Sequence, residues 1–352
     1  MSAPAPQPPK PAASGADLSP SPTRPRPPRW ARLCTIVGAV LVVLAFGSVG
    51  VGWGLSVRYS TKTQDILDGV PKKSDIRGPL NILLLGSDTR AADPSVQSGA
   101  DGARSDTIML IHVTRDLQHA YFISIPRDSY VDIPPMEGRW DGGKNKINSA
   151  FEFGGAAHMA KTVYGLTKVP LDGAVVLDFN SVRSMVDAVG GVRVCIPYDV
   201  ESIHTDRVWK KGCSNMGGDA AQDFMRQRKT VPGGDFGRIQ NQQLVLKALA
   251  AKATSKGMLT NPIAFDKLLR TATDAMTVDE NMDVRGLAFA LKGLRPDDLS
   301  FLTLPFLNDN LLTPAGSAVE LDMVKSEELF AAIRNDNVDA WILANPPKVA
   351  AK

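Results

Sequence analysis

From Leu33 to Val57 the chain carries no charged residue, and the run TIVGAVLVVLAFGSVGVGWGL within it is apolar or small throughout. As a helix rising about 1.5 Å per residue, the stretch reaches roughly 37 Å, enough to cross about 30 Å of hydrocarbon. It is longer than a signal-peptide core, and no A-x-A cleavage site closes it. Lys10, Arg24, Arg26, Arg29 and Arg32 precede it against one acid, Asp17, so the positive-inside rule keeps that end in the cytoplasm. A spanning segment divides everything else. The expected organisation is a disordered Pro-rich cytoplasmic tail over 1–32 and a transmembrane helix over 33–57. A polar stem over 58–78, an extracytoplasmic domain over 79–345 and a C-terminal tail over 346–352 complete it.

The outer part of this 352-residue chain is large enough for one substantial domain, and a hydrophobic fraction of 43% supplies a core. Net charge is only +3, which argues against a nucleic-acid partner and makes any anion site a local affair. LNILLLG (80–86) is a short apolar run bounded by turn residues, the pattern of a buried strand. TIMLIHVT (107–114) and AYFISIP (120–126) flank a polar turn and read as a hairpin. AVVLDFNSVRSMVDAVGGVRVCIP reads as strand, helix, strand, with Asn180 as N-cap and Gly190–Gly191 as the stop. Alternating strands and helices make the fold class α/β. Further on, 217–229 reads as a helix with a basic end. TVPGG is a loop, and a new helix opens at Asp235 in N-cap position. Residues beyond about 260 are globular in composition and carry no usable motif.

If the middle strand of 80–126 runs antiparallel to both neighbours, one sheet edge gathers Asp88, Arg104, Asp106 and Arg127. Arginine forks suit phosphate oxygens, and paired carboxylates suit magnesium beside them. Outside a membrane there is no ATP, so a phosphate handled there arrives on a lipid. Arg226 and Arg228 are two apart and cannot share a face of a regular helix, so for both to reach one ligand the helix must end there. Histidines 112, 119, 158 and 204 lack zinc-ligand spacing. With no GxxxxGK[ST] and no GxSxG, P-loop and serine-hydrolase readings lapse. Cys195 and Cys213 fall in the outer part. A disulfide between them is chemically allowed in an oxidising compartment, and two free thiols are the alternative.

NILLLGSDTR, ARSDTIMLIHV, FISIPRDSYVDIP, KINSAFEFGG, VVLDFNSVRSMVDAVGGV and MRQRK…GGDFGRIQNQQ, spread over about 80–250, together resemble the LytR-CpsA-Psr (LCP) family. The resemblance implies a single outer domain with a central mixed sheet flanked by helices, behind one membrane helix. It also implies a magnesium-dependent phosphotransferase that moves a glycopolymer phosphate from a polyprenyl-pyrophosphate carrier to peptidoglycan. In the family pattern Asp88 and Asp106 hold Mg2+, while Arg104, Arg127, Arg226, Arg228 and Arg238 grip the pyrophosphate. Lys146 and Asp235 match further site positions, and Asp128 follows the IPR arginine. Asp235 and Asp128 are the candidate proton acceptors. One departure stands out: members often read Arg-Gln where this chain has Asn241-Gln242, and position 241 is expected on the same helix side as Arg238. The competing expectation is a lipid-linked glycan binding protein, or a polyprenyl pyrophosphatase without efficient transfer. Product release from a pyrophosphate lipid separates the readings.

Overall fold

The computed structural model describes residues 62–71, 78–87, 105–253, 255, 261–282, 294 and 296–346. The 33–57 stretch, Asp88 and Arg104 lie outside these residues, and of Asp106 only the backbone is described. Among the described residues no helix is long and apolar enough to cross a membrane.

In chain order the strands are β1 (Lys62–Gln64), β2 (Leu80–Ser87), β3 (Ser105–Val113), β4 (Ala120–Ile125), β5 (Tyr130–Ile133) and β6 (Gly143–Lys146). Helix α1 (Ser149–Thr167), β7 (Gly173–Asp178), α2 (Phe179–Ala188), β8 (Val192–Ile196), β9 (Val200–Glu201), β10 (Val208–Trp209) and β11 (Gly212–Met216) follow. The chain continues through α3 (Gly218–Arg226), α4 (Asp235–Ala253), α5 (Pro262–Ala275), β12 (Met276–Asp279) and β13 (Leu299–Thr303). It closes with β14 (Phe306–Thr313), β15 (Gly316–Leu321), α6 (Met323–Arg334) and α7 (Val338–Ala344).

The main sheet runs in the order β1-β12-β7-β2-β3-β4-β13. The β2–β3 and β3–β4 pairs are antiparallel, whereas β2–β7 and β4–β13 are parallel, so the sheet is mixed, as expected. Alternation explains why its central strands read as unbroken apolar runs. Leu80, Ile82 and Leu84 enter one core with α2, α3, α4 and α5; Leu83 and Leu85 enter the other with α1, α6 and α7. Both faces of each strand are buried, so both are mainly apolar, and the polar exceptions Asn81 and His112 pair with each other at 2.8 Å. A fully buried leucine such as Leu83 contributes about 1.5–3 kcal/mol.

The folded unit begins before residue 79. The segment expected as a stem supplies β1, which pairs in parallel with β12, and buries Ile66, Leu67 and Val70. Buried Asp279 fixes this entry by accepting hydrogen bonds from the Ile66 and Leu67 amides at 3.0 and 2.9 Å. A second difference concerns Asn180. Strand β7 passes directly into α2 at Phe179, so Asn180 lies inside the first turn and its side-chain oxygen accepts from Gln222 instead of capping. The stop at Gly190–Gly191 is as expected, with the Gly191 amide donating to the Val186 carbonyl. Cys195 and Cys213 face each other on antiparallel β8 and β11 and are joined in a disulfide, which settles the choice the spacing left open.

Candidate functional site

The end of β2, the start of β3 and the end of β4 lie at one end of the sheet, as antiparallel pairing requires. Gly86 pairs with Thr107 and Ser87 with Ser105, so Asp106 is the extra residue of a β-bulge. Bulges re-aim side chains at strand ends. The backbone thus brings the residue preceding Asp88 beside the bulge that carries Asp106.

Beyond β4 the chain is pinned from two sides. The Arg127 carbonyl accepts from the Asn148 amide at 3.0 Å, and the Asp128 carbonyl from the Val319 amide at 2.8 Å. Ser129 turns the chain by donating its hydroxyl to the Pro126 carbonyl at 2.7 Å. The Arg127 and Asp128 backbones are therefore clamped between the start of α1 and β15. A polar cavity of about 590 Å³ opens here, walled by Arg127, Asp128, Lys146, Asn148, Arg228 and Asp235. The β14–β15 hairpin contributes Ala315 and Ser317 to the same wall.

Asp235 opens α4, and its carboxylate serves two arginines instead of capping the helix. Arg238 approaches at 2.8 Å and the Arg127 Nε at 3.6 Å; Arg127 Nε also stands 3.6 Å from Asp128. Burial pushes the Asp235 carboxyl above its ordinary value, with Arg238 and Arg127 opposing the shift. Arg238 itself is only 8% exposed at its side chain, so it stands behind Asp235 and braces it. The loop before the helix makes this geometry possible. Gly233 and Gly234 adopt positive φ, and a Cβ on Gly237 would meet the Pro232 carbonyl at 2.4 Å, so only glycine lets this turn pack so closely.

Arg226 and Arg228 are arranged by the residue between them. Helix α3 ends at Arg226, and Gln227 is extended at φ −65°, ψ 128°. Gln227 is fully buried; its amide nitrogen donates to both the Asp223 carboxylate and carbonyl, and its oxygen accepts from the Ile203 amide. With Gln227 turned inward, its exposed neighbours point outward from a fixed backbone. The condition set by their spacing, that the helix end here, is met. Arg228 reaches the cavity wall, and Arg226 stands exposed beyond it.

Position 241 does not face the cavity. Asn241 is fully buried, donating to the Phe224 carbonyl at 3.2 Å and accepting from the Tyr198 hydroxyl at 3.0 Å. A residue three after Arg238 shares its helix side, but here that side is covered by α3 and Tyr198. Gln242, to which the sequence reading gave no role, is 2% exposed and takes the Thr107 hydroxyl on its side-chain oxygen at 3.0 Å. It ties α4 to the strand beside the bulge, and its side-chain nitrogen has no partner among the described residues. Gln242 also lines a small apolar cavity of about 30 Å³ with Leu84, Leu177, Val182 and Met225. The signal for Gln242 was its spacing, four after Arg238 on one helical stripe.

Among the described residues no cluster of three or more histidine, cysteine or acidic side chains forms a metal centre. The carboxylates expected to hold one, Asp88 and Asp106, fall outside the described side chains.

Known proteins bear on this arrangement. The chain is 34% identical over 223 residues to a probable cell wall biosynthesis protein, LcpB, of Corynebacterium glutamicum; the match covers 60% of this chain. It spans only about half, 52%, of that relative's length. A polyisoprenyl-teichoic acid–peptidoglycan teichoic acid transferase, TagU, of Enterococcus faecalis is 29% identical over 260 residues, covering 72% of this chain and 80% of that protein. Among solved structures, B. subtilis TagV superimposes with a TM-score of 0.59 at 25% identity, over 74% of this chain and 98% of that one. The LytR_cpsA_psr family model matches residues 55–329, from before β1 to within α6, and the chain belongs to the LytR_cpsA_psr family.

Proposed function

We propose that this protein transfers a glycopolymer phosphate from a polyprenyl-pyrophosphate carrier to a hydroxyl of peptidoglycan, at the outer face of a cell membrane. The observation that carries the reading is the cavity wall itself: Arg127, Lys146 and Arg228 converge on a space of about 590 Å³ with Asp128 and Asp235 beside them. Arg127, fixed before the ligand arrives, would stabilise charge that develops on phosphate oxygens without reorganising during the reaction, and the other two cations would add attraction. The relatives' names as transferases to peptidoglycan support the acceptor. The cross-strand disulfide supports an oxidising compartment, as the 33–57 anchor requires.

In this reading an acceptor hydroxyl oxygen attacks the glycan-bearing phosphorus. The bond from that phosphorus to the bridging oxygen breaks, and its electron pair leaves with polyprenyl phosphate. Arg127, clamped at its backbone, and Arg228 on the rim take the negative charge of the non-bridging oxygens. Asp235 accepts the hydroxyl proton, since its raised pKa makes it a stronger base than an ordinary aspartate. Lys146 neutralises a further phosphate oxygen. Asp88 and Asp106 would hold Mg2+, which when bound supplies a Lewis acid beside the phosphates; the Asp106 bulge and an all-oxygen donor pair suit that ion. The prenyl tail would enter between the strand ends and α2 and α4. The apolar lining of the cavity of about 30 Å³ there supports this route, and the cavity would have to widen to admit a chain.

The test is transfer by the full-length protein from a polyprenyl-pyrophosphate-linked glycan to peptidoglycan, with and without Mg2+. Covalent glycan–phosphate–peptidoglycan product is expected. Release of polyprenyl phosphate with no transferred glycan would reduce the protein to a pyrophosphatase, and neither product would leave a binding protein.

A further inference from the structure

The β5–β6 hairpin has one buried and one outward face. Val131 and Ile133 pack into the core with α1, while Tyr130 pairs across with Lys146 and Asp132 with Lys144 on the other face. Lys146 stands in the phosphate cavity. Two residues back, about 7 Å along the strand at roughly 3.3 Å per residue, Lys144 stands in a second cleft of about 450 Å³. That cleft is floored by Pro134 and Leu166 and ringed by Lys144, Lys161 and Lys168. Asp132 is the acid on its lining, and Asp68 pairs with Lys161 at 3.4 Å, so three ammonium groups face two carboxylates. Lys144 and Lys168 are exposed.

The position of this cleft relative to the donor matters more than its charge. The small apolar cavity proposed for the prenyl tail belongs mainly to the core of α2–α5, on one side of the sheet. The lysine cleft lies over the core of α1, on the other side. The phosphate cavity sits between them at the sheet end. In an in-line displacement the nucleophile enters opposite the leaving group. The leaving group carries the prenyl tail, so the nucleophile comes from the α1 side.

We infer that the Lys144–Lys161–Lys168 cleft is the acceptor subsite, holding a glycan strand with carboxylate-bearing stems while its free hydroxyl reaches the phosphate cavity past Tyr130 and Lys146. This rests on the transferase reading for its chemistry. The apolar floor covers the sugar faces, and the long lysine stems let the ammonium groups meet stem carboxylates that differ in position from one repeat to the next.

Lys144→Glu/Lys168→Glu in the full-length protein is the test, since both side chains are exposed. Binding of uncrosslinked peptidoglycan strands should weaken about tenfold. Strands whose stem carboxylates are amidated should bind wild type and variant alike. In the transfer assay the acceptor KM should rise about tenfold, with donor KM and acceptor-free release of polyprenyl phosphate unchanged. Lys144→Arg/Lys168→Arg should behave as wild type. Unchanged strand binding, or equal weakening with amidated strands, overturns the subsite. A raised donor KM overturns it too and assigns the cleft to the donor's own polymer. If wild type forms no transferred product, the binding arm still decides the cleft, so the two readings fail separately.

Discussion

The cations around the cavity of about 590 Å³ fall into two groups. On the inner wall, Arg127 and Arg238 are largely buried and hold Asp235 between them at 3.6 and 2.8 Å. On the rim, Arg228 is exposed, held at its backbone by Gln227 but with its guanidinium in solvent. The same side chain thus occurs as a fixed fork and as a steerable charge. Desolvation makes the difference. Inner-wall charges act at a low effective dielectric and are hardly screened, whereas rim charges act through water and salt. The inner wall should carry geometry, and therefore turnover; the rim should carry attraction, and therefore affinity.

The largest expected effect follows on the inner wall. Arg127→Ala should lower kcat for transfer about a hundredfold, in the range seen when one fixed oxyanion donor is removed. Arg127→Lys keeps the charge but loses the planar fork, and should still lose about tenfold, or ~1.4 kcal/mol. Single-turnover kinetics on a pyrophosphate lipid would measure both. Wild-type turnover in the lysine variant would show that the wall needs only a charge, and the contrast with the rim would disappear.

The seat of the inner wall should be nearly as sensitive. Asn241→Arg, which the sequence suggested as restoring a family charge, places an ion where the side chain is fully buried against Phe224 and Tyr198. Overpacking and an unpaired buried charge predict a loss of about 3 kcal/mol in denaturant unfolding. The thermal shift produced by a polyprenyl-pyrophosphate analogue should not exceed that of wild type. A larger shift would mean that α4 turns this face to the ligand.

The pH dependence is a milder probe of the same wall. Burial raises the Asp235 pKa above 3.8, so as a base it loses activity when pH falls through that raised value. The acidic limb of kcat should therefore lie above that of an ordinary carboxylate, and Asp235→Asn should remove it along with most turnover. Folding responds with the opposite sign. The stability linked to Asp235 is present below its ordinary pKa and is lost as pH rises through the folded one. A limb that persists in Asp235→Asn would hand the proton to Asp128.

What the sequence disclosed differs between the same two regions. Strands β2 to β4 were legible because both faces are buried, which forces continuous apolar runs such as LNILLLG. The turn around Gly237 and the helix from Asp235 were legible because a tight loop leaves glycines and a helix start leaves an acid. The partners of these elements were not legible. Strand β13 pairs Leu299 with Ala120, and the β15 amide of Val319 holds Asp128; neither contact has a local signature. Burial of Asn241 was invisible for a related reason. Helix α4 packs on several sides, so spacing from Arg238 fixed its direction but not what covers it. Gln227 carries no charge to mark it between its two arginines, although its inward turn is what aims them.

The smallest effect belongs to the rim. Arg228→Lys should lower donor affinity no more than about threefold, because an exposed cation contributes through solvent and either side chain supplies one charge. Arg228→Ala should cost somewhat more at low salt. Raising ionic strength from about 0.1 to 1 M shortens the screening length from about 10 to 3 Å, which should bring wild type and Arg228→Ala together. The Arg127 variants should keep their deficit under the same change, because their contacts are buried. Donor KM and kcat measured together for the four variants and wild type at both salt concentrations give the whole comparison in one series. A tenfold, salt-independent loss for Arg228→Lys would show that this guanidinium also grips two oxygens, with the ligand drawing it off the rim and into the wall. Gln227 would then be fixing a second fork in place, and Gln227→Ala should reproduce the loss with Arg228 intact.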